Sequence, residues 1–85
     1  IGYARTMLHG GTFAPPRLDG FAAEVTRFHD TLALLRDDFA DASLRAQVRD
    51  EQFLQGPLAD AMTHAGQLAM LRRLAGSPVA SENFI

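Results

Sequence analysis

Residues 20–41 read GFAAEVTRFHDTLALLRDDFAD, and this stretch decides the fold class. Its large apolar residues are Phe21, Val25, Phe28, Leu32, Leu35 and Phe39. They recur at steps of four, three, four, three and four, the spacing that lines one side of an α-helix. The other side carries Glu24, Arg27, Asp30, Arg36 and Asp37. Glu24 and Arg27 are one turn apart and are expected to face solvent as a weak ion pair. The predicted helix spans about residues 20–41, with Asp19 as its cap.

Working outward, residues 1–9 read as a short helix with Ile1, Ala4 and Leu8 on one stripe, stopped by Gly10-Gly11. His9, at the end of that helix, is expected to act as a cation near the negative end of its dipole. Residues 10–20 hold Gly10, Gly11, Pro15, Pro16 and Gly20 and read as a loop, with Phe13 and Leu18 able to pin it. Beyond residue 41, Ser43 is a candidate cap for one turn carrying Leu44 and Val48. Phe53 and Leu54 then anchor the connection. A last helix is predicted over about residues 57–75. Pro57 opens it, Gly76 ends it and Pro78 prevents resumption. Arg72 and Arg73 fall in its last turns, where positive charge is favourable. The tail is expected to pack through Phe84.

No strand pattern, repeat or low-complexity tract interrupts this. The fold class read from the pattern is all-α, an antiparallel helical bundle with two long helices, a short leading helix and a packed tail. Residues 1–85 form one helical domain or the C-terminal part of a larger bundle.

Composition removes several alternatives. Eighty-five residues support at most one small domain, with a core that buries roughly 60–65% of the unfolded surface. Hydrophobic residues are 47% and charged residues 21%, which argues against disorder. There is no cysteine, so disulfides and thiolate metal ligands are excluded. All the basic residues are Arg. The net charge of -2 gives no basic surface for nucleic acid, and Arg72-Arg73 is better explained by the helix end. No apolar run reaches the roughly 20 residues of a membrane span, and no signal peptide is visible, so a cytoplasmic location is expected. The start at Ile1 rather than Met raises the expectation of a fragment.

The chemistry concentrates on the last helix. Asp60, His64, Gln67, Leu71 and Leu74 form one stripe, polar at its beginning and apolar at its end. Asp and His at i, i+4 project from one face and can share a divalent metal. Two ligands are too few for a tight site, which needs three or four. The plainer reading gives Asp60 to the helix dipole and His64 and Gln67 to neighbouring hydrogen bonds. His29 flanks the long stripe as a boundary residue. Ser43, Ser77 and Ser81 sit at caps or loops, and no phosphate loop, nucleophile elbow or His-Glu-x-x-His motif is present.

The segment from Gly56-Pro57 to Gly76-Ser77-Pro78 resembles the last bundle helix of DinB-like proteins. Its most specific part is His64-x-Gly66-Gln67-Leu68, followed by Leu71-Arg72-Arg73 and Gly76, and Glu82-Asn83-Phe84 continues it. The resemblance covers residues 53–84 best. It implies a four-helix up-down bundle, complete or truncated, and a divalent metal, nickel or zinc, held by three histidines. His64 matches the second member of the family's His-x-x-x-His pair. Asp60 stands where the first would be, and a position before Ile1 is the expectation for the earlier histidine. The implied activity is metal-dependent transfer or hydrolysis on a small molecule. A competing expectation is a non-catalytic helical module that dimerises through its apolar stripes and lacks a functional metal site.

Overall fold

A computed structural model describes residues 1–81, so the expectations placed on Phe84 and its neighbours lie outside the described residues. Among the described residues the chain is helical with no strand, as the pattern requires. Helix α1 is Gly2–His9, α2 is Phe21–Ala40, α3 is Ala42–Arg45, α4 is Asp50–Phe53 and α5 is Ala59–Leu74. A π-type turn over Leu54–Leu58 joins α4 to α5.

The long helices begin and end close to where the periodicity puts them, but some of the devices at their ends differ. Asp19 does not cap α2. Gly20 holds that position with a φ of 106°, a value open to glycine, and no side chain bonds the first turn. Ser43 is not the cap of α3 either. Asp41 is, its carboxylate accepting from Ser43 N at 2.9 Å, Leu44 N at 3.3 Å and Ser43 Oγ at 2.6 Å. Those bonds, the hydroxyl's first, hold the Asp41 carboxyl below its usual range. Pro57 does not open α5. It has no N–H to donate, and its ring clashes with the carbonyl one turn back, so the chain widens around it. Gly56 leaves helical geometry there, at φ −98° and ψ −105°. At the far end, Gly76 N bonds Arg73 O and Ser77 N bonds Arg72 O, with Gly76 at φ 83°. That is a Schellman stop.

The core is small. Ala4 and Leu8 of α1, Leu35 of α2 and Phe53 of α4 are buried, with Ile1, Phe39, Val48 and Leu58 packed around them. Phe39 and Phe53 meet edge-on at 5.1 Å. Phe13 folds back on α1, edge-on to Tyr3 at 6.2 Å, whereas Leu18 and Leu54 stay exposed.

The expected burial of the long stripe is corrected by the structure. Phe21 is 85% exposed and Phe28 48%, and Val25 and Leu32 are exposed too; only the C-terminal end of the stripe, at Leu35, enters the core. The helices α2 and α5 are not a packed antiparallel pair. The packed contacts join α1, α2, α3 and the α4–π-turn segment, and α5 packs chiefly against the turn that precedes it. No residue of α5 is buried. The solvent-accessible surface is 6962 Å². An extended chain of 9.3 kDa exposes about 13,500 Å², so about half is buried rather than the expected 60–65%.

Candidate functional site

The two residues singled out on the last helix do stand together. In α5, Asp60 and His64 are one turn apart, and Asp60 Oδ1 lies 3.5 Å from His64 Nε2. The other ring nitrogen is engaged: His64 Nδ1 is 2.8 Å from Gln67 Oε1. The amide oxygen accepts, so Nδ1 carries the proton in the neutral ring and Nε2 keeps its lone pair. That lone pair faces a carboxylate oxygen. Both side chains are open to solvent, so water reaches that lone pair too.

The separation fits a cation. Two donors with bonds of about 2.1 Å to a tetrahedral ion sit roughly 3.4 Å apart. The donor set does not close a site, however. Among the described residues no group of three or more His, Cys, Asp or Glu could hold a metal. Neither His9 nor His29 comes into the cluster. Asp60 and His64 therefore fit two coordination positions, leaving the rest to other donors.

Both side chains edge an open hollow of about 480 Å³. Its walls are apolar: Ile1 and Tyr3 at the start of α1, Phe28 of α2, and Met62, Ala65 and Leu68 of α5. Phe28 of the long stripe thus faces the polar end of α5 across a space large enough for a small molecule. Glu24 and Arg27 lie beside it, paired at 2.6 Å as their spacing predicts. Each reinforces the other's charge, so Glu24 is held below and Arg27 above its usual range.

A second polar cluster has no counterpart in the expectations drawn from sequence. Asp38, whose side chain is 7% exposed, accepts from Arg5 Nε at 2.7 Å and lies 2.9 Å from His9 Nε2. Arg5 NH2 adds a longer contact at 3.4 Å. His9 is thus a partner of Asp38 rather than only a dipole cation. The α2 C-terminus ends in acidic residues with no basic residue in its last turn. Arg5 of α1 supplies the missing positive charge, and His9 adds a second polar contact. A signal for this existed. Asp38 follows Leu35 by three residues, so it falls on the apolar side of α2 and requires a cation there.

This geometry has no relative to be read against: no family model, curated protein or solved structure matches the chain.

Proposed function

We propose that this chain is a DinB-like helical module that binds a divalent cation, nickel or zinc, through Asp60 and His64 and takes a small molecule into the adjoining hollow. The observation that carries the reading is the 3.5 Å approach of His64 Nε2 to Asp60 Oδ1, with Nδ1 tied to Gln67. Gln67 fixes the ring and its tautomer, as outer partners of metal-binding histidines do. Asp60 adds a hard oxygen donor, which moves the preference toward harder ions than a second imidazole would. Tyr3, Phe28 and Leu68 offer apolar walls on one side of the hollow. A bound divalent ion supplies Lewis acidity and lowers the pKa of a coordinated water or thiol, the chemistry of metal-dependent transfer or hydrolysis. A cytoplasmic setting goes with this proposal.

The test is metal content. Purified protein freed of metal is titrated with zinc and with nickel at neutral pH. Stoichiometric binding that is lost in His64→Ala and kept in His29→Ala supports the reading. No binding at or above neutral pH sinks it.

A second reading is favoured by a different observation, the exposure of Phe21, Val25, Phe28 and Leu32 along one face. In that reading the chain is a non-catalytic module that forms a homodimer, and Asp60 and His64 are an ordinary surface pair.

A further inference from the structure

We propose that a second copy of this chain seats its α5 in the open wedge between α2 and α5, so that α2 and α5 of two copies together make the four-helix unit. The inference rests on the homodimer reading and specifies its interface.

Surface area is the first argument. A folded monomer of 9.3 kDa exposes about 5,000 Å². This chain exposes 6962 Å², an excess of about 2,000 Å². The four residues beyond the described range can account for no more than about 730 Å² of that. What remains, about 1,300 Å², is of the size that one partner contributes to a permanent interface, where about 1,000–2,500 Å² is covered on each side.

The second argument is the character of α5. Leu68, Met62, Met70, Leu74 and Leu71 point in turn around its circumference rather than along one stripe, at 100° per residue. Asp60, His64, Gln67, Arg72 and Arg73 lie between them, so α5 is mixed around its circumference, and its large apolar side chains are what ask for cover. Here all five of those side chains are more than half exposed. Packing against the chain's own α2 could cover one side only. A second copy is the source this proposal takes for the second layer.

The third argument is fit. The wedge is lined on the α5 side by Ala61, Ala65 and Leu68 and on the α2 side by Phe28. Two alanines one turn apart let a second helix approach closely, and Phe28 and Leu68 supply the large groups that fill between helices. A twofold axis beside Ala65 brings the same face of each α5 against its mate, the self-complementary arrangement of a closed dimer. Gln67 lies about 160° around α5 from Ala65 and stays outside this packing, whereas Asp60 and His64 line the wedge and border the interface.

The absence of cysteine makes the test clean. The full chain carrying Ala65→Cys is treated with a flexible bismaleimide in the presence of EDTA, alongside Arg36→Cys on the polar side of α2. Any cross-link in a single-cysteine chain joins two copies. The expected result is a mass of twice 9.3 kDa in solution and efficient dimer cross-linking at position 65 but not at 36. Ala65→Arg is expected to halve the mass while its circular dichroism stays helical. A monomeric mass for the unmodified chain overturns the proposal, as does equal cross-linking at both positions. So does a dimer indifferent to Ala65→Arg, which would place the partner elsewhere. EDTA keeps the result independent of metal binding by Asp60 and His64.

Discussion

Arg5 Nε sits 2.7 Å from Asp38 Oδ2 and ties the leading helix to the C-terminal end of α2 across 33 residues of sequence. The bond does two things. It gives a covered carboxylate its counterion, and it brings positive charge to a helix end that has none of its own. It adds a polar tie to the apolar contacts by which Ala4 and Leu8 hold α1 in place.

The tie predicts acid sensitivity. Arg5 first, and then His9, hold the Asp38 carboxyl below its usual range. A carboxylate whose folded value is depressed contributes stability above its unfolded value and loses it as pH falls through the folded one. The contribution is therefore complete above about pH 4–5 and lost progressively below that. The shell of protein over Asp38 is thin, and Arg5 and His9 are partly in water, so screening stays strong. At pH 7, Asp38→Asn is expected to cost about 1 kcal/mol, well short of the loss from a deep ion pair. Urea titrations at several pH values check this. The gap between the two proteins should close as the pH falls below the carboxylate range. A gap that does not change with pH would mean the charge is not what matters.

Phenylalanines at two depths should part company. Phe53 is 5% exposed and stacks edge-on with Phe39. Phe53→Ala is expected to cost about 3 kcal/mol or more, enough to unfold so thin a domain. Phe28 is 48% exposed within one chain. Phe28→Ala should cost less than about 1 kcal/mol in the monomer. Thermal melts at a dilution where the chain is monomeric give the comparison. A loss of several kcal/mol at Phe28 would show that the stripe is covered within the chain after all.

The contrast between those two residues also shows how far sequence reading reached. Periodicity located α1, α2 and α5 because a repeat of three and four residues is a property of the helix itself. It could not say what lies against the stripe, since a helix face is equally apolar whether its cover is the same chain or another. Phe53 anchors the connection as the pattern predicts, whereas its neighbour Leu54, the first residue of the π-type turn, is exposed. The pairing of Asp60 with His64 was legible because both residues sit on one helix. The pairing of Arg5 with Asp38 was not, because it depends on how α1 docks. Only the misplaced carboxylate on the apolar side of α2 hinted at it.

Two glycines in and after α5 should respond in opposite directions. A Cβ built on Gly66 meets no atom within 4 Å. Gly66→Ala therefore gains helix propensity with no clash, a stabilisation of about 0.8–1 kcal/mol in the monomer. Gly76 also has open space around it, but its φ of 83° lies in the left-handed region. There a side chain strains the backbone, and Gly76→Ala should lose about 1 kcal/mol by weakening the Schellman stop. Helicity measured by circular dichroism, together with denaturant titration, distinguishes the two. The same substitution raising stability at 66 and lowering it at 76 would show that backbone conformation, and not space, sets the requirement at the helix end. If Gly66→Ala were destabilising instead, another helix would have to lie against that position, and the comparison of dilute with concentrated protein would reveal whether it belongs to a second copy.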